Sequence, residues 1–151
     1  VLLQHVYIDT YGLEGVSPEF ANFMSTRFSV ERINFLIAAA VLTVATFREN
    51  LIGAAEIVRP ARCPLNRLSG TESSKLYVLE RFCGQGVGYA LLRCVEALAA
   101  ADGDPQLWLE VWSRNPRAVA FYERQGYRAL GTVPFRMEVN CYENLVLAKA
   151  L

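Results

Sequence analysis

Residues 76–92 read LYVLERFCGQGVGYALL, and the fold turns on them. Leu76, Tyr77 and Val78 make a short apolar strand; the chain then bends through Cys83-Gly84-Gln85-Gly86-Val87-Gly88 and at once enters a helix with an apolar face. Glycine has no Cβ, so three glycines at alternate positions leave a row of backbone N–H groups uncovered where the helix already presents the positive end of its dipole. Such a bend can cradle a phosphate through the N–H groups of Gly84 to Tyr89. It can equally be a tight strand-to-helix turn that holds nothing. A Walker A loop is excluded, because no Gly-Lys-Ser/Thr closes the run, and a dinucleotide fingerprint counted from Gly84 would need its third glycine where Tyr89 stands.

Downstream, residues 107–127 read LWLEVWSRNPRAVAFYERQGY. Residues 106–112 alternate between two faces, Leu107, Leu109 and Val111 against Trp108, Glu110 and Trp112. Asn115-Pro116 starts a helix and Gly126 stops it. Seven residues separate Asn115 from Tyr122, nearly two turns, which sets them on one side of the helix about 10 Å apart along its axis. A carboxylate, a capping amide and a phenol thus fall at fixed offsets. Each also has a plain reading: Glu110 as the solvent-side member of a strand, Asn115 as a cap only, Tyr122 as a core aromatic with its hydroxyl at the rim.

Upstream, residues 2–11 fit an amphipathic helix ended by Gly12, although Val6, Tyr7 and Ile8 also suit a strand. Ser17-Pro18-Glu19 and Ser29 with Glu31 begin two short helices. Residues 41–58 form an antiparallel hairpin turning at Arg48-Glu49-Asn50. The passage from Ala38-Ala39-Ala40 into Val41 has no glycine, proline or polar residue to turn it, which suggests that residues are missing there. Residues 59–74 read as one long loop, delivering the chain to a strand that starts at Lys75. The helix after the glycines carries Val87, Leu91, Cys94, Val95 and Leu98 on its apolar face, and residues 127–133 and 142–148 are two further strands.

The whole chain of 151 residues fits a single domain, able to bury roughly 68–70% of its unfolded surface. Fifteen basic against fifteen acidic side chains leave no field to collect nucleic acid or an anionic membrane. Cys63, Cys83, Cys94 and Cys141 are scattered, with no C-x-x-C pair and one histidine, His5, so no metal site is expected. Unpaired cysteines in so apolar a chain point to a reducing compartment, the cytoplasm. The longest apolar run, residues 35–47, is too short to span a bilayer, which takes about 20 residues.

Taken together, the strand Leu76-Tyr77-Val78, the loop Gly84-Gln85-Gly86-Val87-Gly88, the segment LWLEV, Asn115, Ala118, Phe121-Tyr122 and Gly126-Tyr127 resemble, in order and spacing, the GCN5-related N-acetyltransferase (GNAT) family. The resemblance covers residues 76–127 well and the hairpin with Gly53 loosely. It departs at Cys83, where the family usually has Arg or Gln, and in lacking a first strand before Leu2, as if the N-terminal strand were missing.

The resemblance implies an α/β fold of the α+β type, a mixed, mostly antiparallel central sheet splayed at a cofactor cleft and flanked by helices. It implies acetyl-CoA as cosubstrate in that cleft, between residues 76–78 and 106–111. The pantetheine arm would pair with the backbone of Leu76, Tyr77 and Val78, as an added strand does. The pyrophosphate would take the N–H groups of Gly84, Gln85, Gly86, Val87, Gly88 and Tyr89, while Asn115 would bond the cofactor or brace the cleft. Glu110 would act as base toward the amine of a small molecule or peptide, directly or through water, and Tyr122 as acid toward the leaving thiolate. No metal is needed, and a homodimer is compatible. Two rivals stand beside this: a non-catalytic acyl-CoA-binding sensor or interaction module of the same fold, which would not need Tyr122 with Glu110, and a mononucleotide-binding α/β domain, for which the phosphate chemistry residues are lacking.

Overall fold

The computed structural model describes residues 1–151. In chain order it contains α1 (Leu2–Tyr11), α2 (Pro18–Arg27), α3 (Val30–Ala38), β1 (Leu42–Phe47), β2 (Asn50–Arg62), β3 (Ser69–Val78), a 3-10 turn (Glu80–Phe82), α4 (Val87–Ala101), β4 (Gln106–Trp112), α5 (Pro116–Arg124), β5 (Arg128–Arg136) and β6 (Cys141–Ala150). The strands form one six-stranded sheet in the order β1-β2-β3-β4-β6-β5. Pairing is antiparallel for β1/β2, β4/β6 and β5/β6, and parallel for β3/β4 at Thr71–Leu107 and Glu72–Trp108. A parallel pair needs a crossover, and α4 supplies it. The chain divides into two compact units, Val1–Glu56 with Lys75–Val95, and Ile57–Ser74 with Glu96–Leu151.

In the first unit the ambiguity of residues 2–11 resolves as a helix because that geometry buries Leu3 and Tyr7 on one side. The Tyr7 ring lies 5.4 Å from Phe20, 5.5 Å from Phe23 and 6.4 Å from Tyr77, an aromatic cluster that a strand of the same residues would break up. Ser17 and Ser29 cap α2 and α3, their hydroxyls accepting from Phe20 N at 3.2 Å and Arg32 N at 3.1 Å. The helix-to-strand passage that looked short of a turn is made by Ala40, whose φ of 53° is left-handed. Ala40 N donates to Ile37 O at 3.1 Å and Val41 N to Leu36 O at 3.2 Å, the Schellman closure usually built on glycine. No extra residues are required to turn the chain there. The hairpin turn is Arg48-Glu49, both at positive φ, as a two-residue connection between twisted strands demands.

Two sequence expectations fail, both for reasons of burial. The supposed loop 59–74 is mostly strand: β2 runs on to Arg62 and β3 begins at Ser69, not at Lys75. The buried residues of β3 are Gly70, Thr71, Ser73 and Lys75, polar or small, so no apolar alternation marks the strand. Thr71 is satisfied by Asp104, 2.5 Å away, and Lys75 by Glu56, while Ser73 Oγ is buried without a hydrogen bond. On α4 the buried residues are Leu91, Leu92, Val95, Glu96 and Ala99; Cys94 and Leu98 are exposed. The buried stripe is rotated away from Cys94 because it takes in Glu96, which accepts from Tyr127 Oη and Lys149 Nζ, each at 3.0 Å.

The second unit is built on β4, whose residues are buried on both faces except Glu110. Its residues alternate between two faces as the sequence predicts, and β3 and β6 flank its two edges. No helix of the chain is long and apolar enough to cross a membrane.

Candidate active site

The first unit carries the proposed anion cradle. After Val78 the chain is held by Leu79 N donating to Ile52 O at 2.9 Å, passes through the 3-10 turn, and reaches Gly84 at φ 74° and Gly86 at φ 84°. Both angles are ones that L side chains adopt only under strain, and a Cβ built on either glycine would meet nothing within 4 Å. The requirement for glycine is therefore conformational on the protein side, with open space in front of the backbone. Gly84, Gln85 and Gly86 are exposed. Ala90 N donates to Gly86 O at 2.9 Å, so the helical bonding begins there. The N–H groups of Val87, Gly88 and Tyr89, one turn earlier, have no acceptor within the helix. That is the donor set an anion needs, at the positive end of a helix of 15 residues.

Gln85 and Cys83 turn their polar groups to the chain itself. Gln85 Nε2 donates to Arg81 O at 2.8 Å. Cys83 Sγ lies 3.7 Å from Val78 O and 3.8 Å from Leu79 O, so the thiol is spent on the backbone of its own turn. An Arg or Gln at that position could have reached outward; Cys83 does not, and anion binding here rests on the main chain. Gly53, noted only loosely in the sequence, has a definite role: a Cβ would stand 2.9 Å from Tyr77 O and 3.1 Å from Leu91 Cδ1, so β2 can lie against the end of β3 only with glycine there.

The second unit carries the candidate acid and base. Glu110, on β4, is half-buried, and its Oε2 accepts from Asn144 Nδ2 at 3.2 Å. Asn115 is the N-cap of α5 as its spacing predicts, with Oδ1 accepting from Ala118 N at 3.1 Å and Pro116 in the first turn. Its acceptor is thereby used and its amide N–H remains to donate outward. Tyr122 is buried at 7% exposure, its ring 5.1 Å from Phe121 and 5.6 Å, edge-on, from Tyr127. The ring is thus a core aromatic, anchored by the packing of α5. Glu110 and Tyr122 do not hydrogen-bond each other; Glu110 bonds Asn144, a residue the sequence did not single out. An asparagine inside an apolar strand, with Val146 and Leu147 buried after it, is the only trace it leaves.

Comparison with known proteins identifies the family and the fold. Residues 10–127 match the profile of the Acetyltransferase (GNAT) family. An uncharacterized N-acetyltransferase of Mycobacterium bovis is 30% identical over 139 residues, covering 90% of this chain and 85% of that protein. Among solved structures, the PaiA N-acetyltransferase of Thermoplasma acidophilum in complex with coenzyme A superposes with a TM-score of 0.77 at 17% identity, covering 99% of this chain and 89% of that one. A GNAT family acetyltransferase of Elizabethkingia anophelis with acetyl-CoA bound gives 0.62 at 20% identity, covering 82% and 84%.

Proposed function

The chain belongs to the acetyltransferase (GNAT) family, and on that premise we propose that it is one domain that moves an acetyl group from acetyl-CoA to an amine. The observation that supports the reading is the glycine turn: a Cβ on Gly84 or Gly86 would meet nothing within 4 Å, and the turn leads directly into the N-terminal end of α4. Acetyl-CoA supplies an activated acetyl thioester and brings a pyrophosphate that such donors suit. Leu76, Tyr77 and Val78 hold the pantetheine through backbone hydrogen bonds, and Gly84, Gln85, Gly86, Val87, Gly88 and Tyr89 hold the pyrophosphate. The Asn115 amide donates to the cosubstrate.

The acceptor is a primary amine of a small molecule or peptide. It attacks only as the neutral base, so a proton must leave it. Glu110 Oε1, the oxygen that Asn144 does not occupy, takes that proton directly or through one water before the N–C bond forms, and the nitrogen sheds its second proton to solvent as the amide is made. The Tyr122 hydroxyl gives a proton to the sulfur as the C–S bond breaks; a phenol with a reference pKa near 10 donates while itself uncharged at neutral pH. The same reading puts the enzyme in the cytoplasm, since Cys94 and Cys141 are exposed free thiols suited to reducing conditions.

The test is thiol release from acetyl-CoA with a panel of primary amines, namely poly-L-lysine, spermine, phenethylamine and an alanine-terminated peptide, for the parent and Glu110→Gln. A loss of about 10²–10⁴-fold in kcat with unchanged acetyl-CoA affinity is expected of the variant. Tight acetyl-CoA binding with no transfer to any amine would instead favour the sensor reading.

A further inference from the structure

We propose that Asn144 is the positioning residue of the base: it orients the Glu110 carboxylate so that Oε1 faces the proton to be removed. The inference rests on Glu110 being that base, and its evidence lies entirely within the second unit. β4 and β6 pair with Trp112 opposite Asn144 and Glu110 opposite Val146. Directly opposed residues of an antiparallel pair share a face, and so do residues two apart on one strand. Asn144 and Glu110 are therefore diagonal neighbours on one face, and the 3.2 Å contact from Nδ2 to Oε2 closes that diagonal. An ionised carboxylate only accepts, so the amide must present its NH2 group to it.

The terminal torsion of a glutamate is broad and weakly restrained. One hydrogen bond to Oε2 removes that freedom and leaves Oε1 facing a fixed direction. β6 lies between β4 and β5, with Asn144 opposite Val133 on its other side, so the donor is itself mounted on a strand paired along both edges.

The buried carboxylates Glu56 and Glu96 show what half-buried Glu110 lacks. Both oxygens of Glu56 are taken by cations, Arg32 on Oε1 and Lys75 on Oε2. Glu96 Oε1 is shared by Tyr127 Oη and Lys149 Nζ. Those pairings neutralise the carboxylate and hold structure together. Glu110 has a single neutral partner on one oxygen, which orients the group without a counter-charge that would compete for the incoming proton.

The experiment is a double-mutant cycle on the full chain with Asn144→Leu, Glu110→Gln and the pair. Turnover is read with the fastest amine of the panel above, or as acetyl-CoA hydrolysis where none turns over, water then being deprotonated by the same carboxylate. Asn144→Leu is expected to lower kcat by about 10-fold or more, the scale of loss from a misplaced catalytic group. The KM and Kd for acetyl-CoA should stay at parental values, and in the Glu110→Gln background the same substitution should change kcat less than about two-fold, because it acts through the group already removed. Asn144→Asp, which keeps the shape and replaces the donor by an acceptor, should fall with Asn144→Leu and serves if the leucine variant does not fold. Parental kcat in a folded variant at position 144, or an equal loss in the Glu110→Gln background, overturns the proposal while leaving Glu110 as base. Parental turnover of Glu110→Gln itself overturns the base assignment and the positioning role with it.

Discussion

Lys75 Nζ stands 2.5 Å from Glu56 Oε2 with both side chains almost wholly buried, 6% and 2% exposed, and Arg32 Nη2 approaches the other carboxylate oxygen at 3.2 Å. The ammonium also lies 5.9 Å from the centroid of the Phe28 ring. This group joins β2 and β3 to the end of α2 and the start of α3. Removing one member of a buried pair strands the other, at a typical cost of about 3–5 kcal/mol, whereas replacing both by apolar residues is often near neutral. Lys75→Met alone should therefore destabilise by roughly 3 kcal/mol, since Arg32 still serves Glu56, and Lys75→Met with Glu56→Leu should recover most of the loss. Urea midpoints of the three proteins decide it. Equal destabilisation of single and double variants would show that the pair adds nothing.

The same lysine sets a pH dependence. Burial holds the Lys75 pKa below the ordinary lysine range, only partly offset by the hydrogen bond and charge of Glu56, with Arg27 and Arg32 lowering it further. Between that lowered value and about 10.4, where an unfolded lysine titrates, the unfolded chain binds more protons than the folded one. The Lys75 contribution to stability is then fully present above the unfolded pKa and is lost as pH falls through the folded one. Half-buried Tyr11 acts oppositely: its pKa is raised by desolvation, so its contribution is lost as pH rises through the folded value. The difference in unfolding free energy between parent and Lys75→Met, followed by urea titration from neutral to alkaline pH, should grow in favour of the parent as pH rises. A pH-independent difference would refute the linkage.

Gly86→Val should weaken coenzyme A binding at least about 10-fold while the domain still folds. A Cβ at φ 84° meets no neighbour, so the substitution costs about 1–2 kcal/mol of backbone strain and no internal clash. The expected loss comes from a side chain screening the cradle from an incoming phosphate. Titration calorimetry with coenzyme A, with a melting curve as control, checks this; parental affinity in the folded variant would remove the cradle.

Tyr122→Phe should slow transfer by about 10²–10⁴-fold with little change in KM for acetyl-CoA, provided chemistry limits turnover. The ring contacts with Phe121 and Tyr127 survive the substitution, so α5 should pack as before. A phenylalanine variant running at the parental rate would assign the proton to water or another group.

Ala40→Gly should raise stability by up to about 1 kcal/mol. The residue pays the left-handed penalty at φ 53°, and glycine relieves it at some cost in unfolded-state entropy. A lower urea midpoint in the glycine variant would show that the closure of α3 is not strained.

What the sequence alone determined is local. Ser17, Ser29 and Asn115 cap acceptor to donor over three residues, and Gly84 and Gly86 bend a turn whose hydrogen bonds lie within it, so each could be read from a short window. The order of those windows was enough for the family, the cosubstrate and the candidate residues Glu110, Asn115 and Tyr122. What only tertiary structure decided depends on strand pairing and on which helix face is covered. Lys75 meets Glu56 across 19 residues and Glu110 meets Asn144 across 34, so no window contains either bond. The polar buried residues of β3 read as a loop in the sequence because their partners, Asp104 and Glu56, lie on other segments. Apolar spacing puts Cys94 on the buried face of α4, but Glu96, satisfied by Tyr127 and Lys149, turns the stripe. A polar side chain is buried only where distant segments bring it a partner, and that placement is a property of the folded chain.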